Sequence, residues 1–189
     1  MTIRRTRTPR GRLLAGWIAG SVCLAALASA TAVHADGEEY RLKAAFLLNF
    51  ARLVEWPPAF RPAPGAPMVV GVIGDPEVGK ALAAGLQGAA AGDHPIEVRN
   101  LEDPSQVPGC QIVFLAGTER NDDAILAARG NAALSVGQRD DFTRRGGVIN
   151  FYTESDRLRF EINTRAADAA GLKLSSRLLR LGRLTKGGS

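Results

Sequence analysis

The residues able to do chemistry in this chain are few and scattered. Gly71-Val72-Ile73-Gly74-Asp75 reads as a strand running into a tight turn that could face a ligand, yet it lacks the three-glycine dinucleotide fingerprint. Gly79-Lys80 lacks the preceding glycines and the following hydroxyl residue of a phosphate loop. Ser175-Ser176-Arg177 sets hydroxyls beside a cation, but a nucleophilic serine needs an activating base, and His94 has no sequence-level link to it. Helix capping accounts for Ser175 or Ser176 more simply. Asp122-Asp123 and Asp140-Asp141 have neither general acid/base nor calcium-loop spacing, and read as surface or turn features. No catalytic residue, cofactor site or metal site is expected. A small hydrolase using Ser175, Asp75 or His94 would need a geometry that spacing does not announce.

The elements that must hold these residues begin after a leader. Arg4, Arg5, Arg7, Arg10 and Arg12 precede an apolar run from Leu13 to Leu27, then small residues through Ala32. Val33-His34-Ala35 offers a cleavage site before Asp36, so residues 1–35 read as a secretory signal peptide. The span from Leu13 to Ala32 is also long enough to remain as an anchor. Val22 is a poor residue before a lipid-modified Cys23, and Arg4-Arg5 alone is weak support for twin-arginine export.

The five leader arginines account for the whole net charge of +5, leaving 19 basic and 19 acidic side chains in residues 36–189. The high isoelectric point is therefore no argument for nucleic-acid binding. Tyr40, Phe46 and Phe50 do not form the basic-aromatic interleaving of a nucleic-acid platform either. Charge is still segregated, with 11 basic and 17 acidic groups in residues 36–156 against 8 and 2 in 157–189. Such a basic section could face an anionic membrane or an acidic partner, or mix with other surface charge after folding. Beyond the leader, Cys110 is the sole cysteine and His94 the sole histidine, so neither an intramolecular disulfide nor a zinc cluster is expected. Burial of Cys110 beside Ile112, Val113 and Phe114 is the simplest reading.

Periodicity predicts a helix over Glu39–Glu55, with Leu42, Phe46, Phe50 and Leu53 as its apolar stripe, widened by Ala45, Leu47 and Val54. Trp56 before Pro57-Pro58 either locks the helix exit to the core, which the aromatic cluster favours, or contributes an interaction surface. Met68–Ile73 reads as a central strand buried on both faces, followed by Asp75 as a helix cap and Pro76 as the first helical residue. Lys80–Leu86 carries that helix. Further strands are expected at Ile96–Arg99, Gln111–Leu115 and Ala133–Val136. A helix over Asp122–Arg129 should turn Leu126 inward. The clearest stretch is Gly146–Leu181. Ile149–Thr153 and Leu158–Ile162 alternate in period two around Glu154–Arg157, which predicts an antiparallel hairpin. Asn163 or Thr164 then caps a short helix ending at Gly171, and Leu174, Leu178 and Leu181 give a last helix one core-facing side. Gly187–Ser189 reads as a frayed tail. The sum is α/β: a single-domain sandwich with a mixed β-sheet and a C-terminal hairpin followed by helices.

Several segments resemble, in order, the YfiR-like family of periplasmic regulators. They are Leu42–Phe50, Val54-Glu55-Trp56-Pro57, Gly109–Phe114, Gly146–Phe151, Arg159–Asn163 and Leu174–Leu179. The resemblance implies that residues 36–189 form a YfiR-like periplasmic domain, released by cleavage after Ala35. It implies a stoichiometric repressor that binds the periplasmic sensor region of an inner-membrane diguanylate cyclase, lowering cyclic-di-GMP, biofilm and exopolysaccharide output. It does not imply that the chain makes or binds cyclic-di-GMP. Redox-sensitive disulfides occur in that family, but Cys110 has no partner here, so intramolecular redox sensing does not transfer. An intermolecular disulfide and a homodimer remain open. The candidate partner contacts lie at the hairpin and its helix junction: Tyr152, Arg159, Glu161, Asn163 and Arg165. The same residues could simply solvate the sheet edge and cap its connection, whereas Phe151, Phe160 and Ile162 belong to packing. The alternative from another class is a solute- or cell-wall-binding module built around the Gly74–Asp75 turn.

Overall fold

The computed structural model describes residues 37–117 and 121–185, so the leader, its cleavage site and the Gly187–Ser189 tail lie outside the described residues. Helix α1 covers residues 37–53. The strands are β1 (Val54–Glu55), β2 (Met68–Gly74), β3 (Ala90–Ala91), β4 (His94–Leu101), β5 (Ile112–Ala116), β6 (Leu134–Gly137), β7 (Ile149–Glu154), β8 (Arg157–Asn163), β9 (Lys173–Leu174) and β10 (Arg183–Thr185). The remaining helices are α2 (Pro76–Gly85), α3 (Asn121–Gly130), α4 (Thr164–Ala169) and α5 (Ser176–Leu181).

Eight strands form one mixed sheet in the order β10-β8-β7-β6-β5-β2-β4-β3, and β1 pairs with β9 in a separate two-stranded ribbon. The centre from β4 to β7 is parallel, while β8 runs antiparallel to β7 and β10 parallel to β8. The expected α/β sandwich with a mixed sheet is what the chain forms. Alternation assigns the two faces. Val70, Val72, Ile112, Phe114, Leu134, Val136, Ile149, Phe151, Phe160 and Ile162 point into one core, closed by α1, α2, α4 and α5. Val69, Ile73, Val113 and Leu115 point into a second, smaller core closed by α3 and the loops around it.

The predicted hairpin is present in the predicted register, with Phe151 opposite Phe160 and Ile149 opposite Ile162. Its turn residues Ser155 and Asp156 both have positive φ, 50° and 57°, the conformation that matches the twist of a two-residue hairpin. Three expected caps also hold. Asp75 accepts from Glu77 N, Asn163 from Ala166 N and Ser175 from Leu178 N. Trp56 is buried, and its Nε1 donates to the Gln111 carbonyl at 3.0 Å. The Gln111 side chain in turn accepts from Val69 N and donates to the Phe60 carbonyl, so one residue ties the helix exit to β2 and β5.

Helix faces depart from expectation more than strand faces do. Val54-Glu55 leaves α1 to pair with Lys173-Leu174, because an extended pair satisfies backbone groups that a helix end would leave open. The buried stripe of α1 runs through Lys43, Ala44, Leu47, Phe50 and Ala51, and Leu42 and Ala45 are exposed. Leu126 is 52% exposed, since Ala124, Ile125 and Ala128 form the inward side of α3. Leu181 is 60% exposed and only Leu178 of α5 is fully buried. Chain that the sequence leaves without an element forms β10, whose Leu184 is also exposed.

Truncating Phe151→Ala should cost about 3–5 kcal/mol in urea unfolding through loss of ring burial and the cavity left behind. Leu126→Ala, on the exposed side of α3, should stay within about 0.5 kcal/mol.

Candidate functional site

Across the second face of the sheet the side chains change character. Under α3 they are apolar, but from β6 onward they are Ser135, Asn150, Tyr152, Arg159, Glu161, Asn163 and Arg183. A buried polar group needs a partner, and here the chain from Gln138 to Val148 supplies most of them. Ser135 Oγ accepts from Val148 N at 3.0 Å, and Asn150 Oδ1 accepts from Arg139 N at 3.0 Å. Thr143 Oγ1 donates to Glu161 Oε1 at 2.7 Å, and Asn163 Nδ2 donates to the Thr143 carbonyl at 2.8 Å. Phe142 fixes the same loop by lying on Gly137 and Gly147, where an added Cβ would fall 2.5 and 2.1 Å from its ring.

The five candidate contacts therefore separate. Glu161 and Asn163 are buried and committed internally. Glu161 holds Thr143 with one oxygen and Arg183 Nη2 with the other at 2.7 Å, and Asn163 caps α4. Tyr152 and Arg159 sit opposite each other on β7 and β8, at the accessible part of this face. Arg159 is exposed and 3.9 Å from the Glu154 carboxylate. Arg165 is exposed too, but in α4, whose Ala166 and Ala167 pack on the opposite side of the sheet. Arg183, from the unexpected β10, completes the group. Its guanidinium lies 4.4 Å from the Tyr152 ring centroid, and the hydrogen bond to Glu161 raises its pKa above the ordinary arginine value. The result is a half-open polar surface of Tyr152, Arg159, Glu154 and Arg183 with a rigid floor.

Beside this surface, at the carboxyl ends of β6 and β7, a cleft of about 370 Å³ opens against the first turns of α1. Its base is the Lys43 ammonium, whose side chain is only 4% exposed. Lys43 Nζ pairs with Glu39, donates to Gln138 Oε1 at 2.6 Å and lies 4.6 Å from the Tyr40 ring centroid. Tyr152, Thr153 and the half-buried Leu158 line its side over the buried Phe151, the accessible lining is more polar than apolar, and Asp140 stands exposed at the rim. Lys43 escaped the sequence reading because its partner Gln138 is 95 residues away. The local signals were a lysine within the otherwise apolar face of α1 and Glu39 one turn before it.

A second depression, of about 610 Å³, lies at the other end of the strands around Trp56, Arg52, Arg61, Met68 and His94. Arg52 is held on the Ala90 carbonyl, Arg61 on the Trp56 carbonyl and His94 Nδ1 against the Ala66 carbonyl. At the Gly74–Asp75 turn the carboxylate is occupied as a helix cap. Cys110 is buried in the smaller core, and that burial pushes its thiol pKa up. Among the described residues no His/Cys/Asp/Glu group has metal-binding geometry, and no helix is long and apolar enough to cross a membrane.

Comparison with known proteins gives one family, described as YfiR/HmsC-like, which matches residues 40–183. No curated protein matches the chain. Among solved structures, the ABC domain in complex with L-Trp from Streptococcus pneumonia is 7% identical, with a TM-score of 0.45 over 62% of this chain and 55% of that one. A conserved domain protein from Vibrio cholerae O1 biovar eltor is 15% identical, with a TM-score of 0.45 over 62% and 54%. The chain thus spans about half the length of either.

Glu161→Ala should destabilise the fold by about 1–3 kcal/mol, because it leaves the buried Thr143 hydroxyl without its acceptor. Arg159→Ala should change stability by less than about 0.5 kcal/mol. Chemical denaturation of the two variants separates floor from surface. Cys110 should resist a maleimide at neutral pH in the native protein and label fully once unfolded, as read by peptide mass spectrometry.

Proposed function

The chain belongs to the YfiR/HmsC-like family, and from that membership we propose that it is a periplasmic regulatory protein. In this reading it represses an inner-membrane diguanylate cyclase by binding the cyclase's periplasmic sensor region. The observation that carries the proposal is the family match along residues 40–183. The surface of Tyr152, Arg159, Glu154 and Arg183 supports it, as a charged aromatic patch on a hydrogen-bonded floor suits protein recognition better than turnover. Tyrosine and arginine are the residues that most often dominate binding energy at such contacts.

Repression by binding requires different affinities for the cyclase's two conformations. Moving an equilibrium from mostly active to almost wholly inactive takes a preference of about 10⁴-fold, roughly 5.5 kcal/mol. A few well-packed contacts from a preformed surface can supply that, since little ordering entropy is spent on binding. Export through the leader and cleavage after Ala35 belong to the same proposal. The resulting drop in cyclic-di-GMP would lower biofilm and exopolysaccharide output.

In-cell cross-linking of the tagged full-length protein, with mass spectrometry of captured membrane proteins, tests the proposal. A diguanylate cyclase should be recovered, and cyclic-di-GMP should rise on deletion and fall on complementation. A Tyr152→Ala/Arg159→Glu double variant should keep the fold and lose the capture. Reproducible recovery of a different envelope protein, with cyclic-di-GMP unchanged, would sink the cyclase reading and bring forward a solute- or cell-wall-binding module.

A further inference from the structure

We propose that the outward side of α5 and β10 rests on an anionic lipid surface, with Leu181 and Leu184 entering the headgroup layer and Arg177 and Arg180 meeting the lipid phosphates. The inference holds whichever protein is the partner, because this face lies on the side of the sheet opposite Tyr152 and Arg159.

The neighbours of the two leucines fix where they point. In α5 the buried Leu178 and half-buried Leu179 face the core, so the helical turn puts Arg177, Arg180 and Leu181 together on the outer side. Gly182 then brings the chain down onto the sheet edge, where an added Cβ would fall 2.6 Å from the Phe160 ring and 2.9 Å from Ile162. From that seat β10 runs in register with β8, which sets Leu184 beside Ile162 and so on the helix side of the sheet. Leu181 is 60% exposed and Leu184 55%, more than any other large apolar side chain among the described residues. Covering that surface is favourable in proportion to its area.

The charges around the leucines select the cover. Arg177 and Arg180, with Arg165 of α4 on the same side of the sheet, are exposed and form no ion pair among the described residues. Residues 157–189 hold only two acids, of which Glu161 is buried and Asp168 alone is exposed. A second copy of the chain would set these cations against themselves across a two-fold axis, so the cover is anionic. Contacts between proteins draw most of their energy from tyrosine, tryptophan and arginine in packed pockets, and leucine is under-represented there. Residues 157–189 contain neither tyrosine nor tryptophan. Leucines beside long cationic side chains suit a bilayer instead, since the leucines can enter it while the guanidinium heads stay at the phosphates.

Vesicles of phosphatidylcholine alone, and of phosphatidylcholine mixed with phosphatidylglycerol, test this on the full chain. The readout is hydrogen exchange in peptides spanning residues 176–185, because attachment through another segment leaves those amides unchanged. Exchange there should slow with phosphatidylglycerol and not with phosphatidylcholine alone, and high salt should reverse the effect. Arg177→Gln/Arg180→Gln should raise the lipid concentration for half protection about thirtyfold, about fivefold for each cation near such a surface. Leu181→Ser/Leu184→Ser should raise it at least about tenfold. All four side chains are exposed, so both double variants should unfold thermally like the parent. Equal protection by the two vesicle types would overturn the proposal, as would folded double variants that respond to phosphatidylglycerol like the parent. Polyglutamate protecting the same peptides as strongly as the vesicles would overturn it in favour of an acidic protein. Protection that grows with protein concentration in the absence of lipid would overturn it in favour of a second copy.

Discussion

Everything in this domain leans on the contact between α1 and the inward side of the β7–β8 hairpin. Phe46 and Phe50 meet Phe151 and Phe160 with ring centroids 5.1–5.9 Å apart, mostly tilted or edge-to-face. Such pairs contribute beyond their area burial, and four together also fix an angle between helix and sheet. Because strand residues alternate, seating Phe151, Phe160 and Ile162 on α1 obliges Asn150, Tyr152, Arg159, Glu161 and Asn163 to face the other way. A slip of one residue would bury the charged set and expose the rings. The aromatic cluster thereby decides which side of the hairpin is available for recognition.

The reverse side then poses a problem that an apolar sheet would not have. Its polar groups lie in the middle of a sheet, where lost hydration must be replaced by hydrogen bonds. The Gln138–Val148 segment does this with backbone and side-chain groups, and among the described residues no buried side-chain nitrogen or oxygen lacks a partner. Glu161 is the pivot, since it joins Thr143 of that loop to Arg183 of β10. The floor is thus rigid for an electrostatic reason, while the groups at its edge stay free to meet another molecule. A surface of this kind is preorganised without being enclosed.

The legible part of this structure was the part specified locally. Asp75, Asn163 and Ser175 each cap a helix three residues or fewer away, and the hairpin's alternation is contained in fourteen residues. Each of those signals contains both partners of the interaction that produces it. Helix faces were harder, because α3 and α5 carry apolar residues around more than one side. A 3.6-residue period then fits several stripes equally, and only the shape of the sheet beneath selects Ile125 over Leu126 and Leu178 over Leu181. Arg183 and Lys43 were missed for a different reason. Glu161 lies 22 residues from the first and Gln138 95 residues from the second, and although Glu39 stands one turn before Lys43, nothing nearby declares that the pair is buried. The candidate site was half visible in consequence. Tyr152 and Arg159 could be read from the hairpin, but not the residues that brace them.

The segregation of charge along the chain acquires a physical meaning once the pairs are known. In the basic C-terminal section, Arg183 is engaged by Glu161 and Tyr152, and Arg159 lies near Glu154. Arg157, Arg165, Lys173, Arg177 and Arg180 are exposed and form no ion pair among the described residues. Those charges do little for stability, because exposed pairs themselves contribute at most about 1 kcal/mol. Their effect is on the field around the domain. Several unneutralised cations make the surface of the last third of the chain positive, although Arg165, Arg177 and Arg180 stand on α4 and α5, which pack on the side of the sheet opposite Tyr152 and Arg159. Such a field decays within about 8 Å at physiological ionic strength, so it orients an approach and leaves the holding to shorter contacts. Tyr152 and the guanidinium fixed over its ring have the preorganisation that short contacts need.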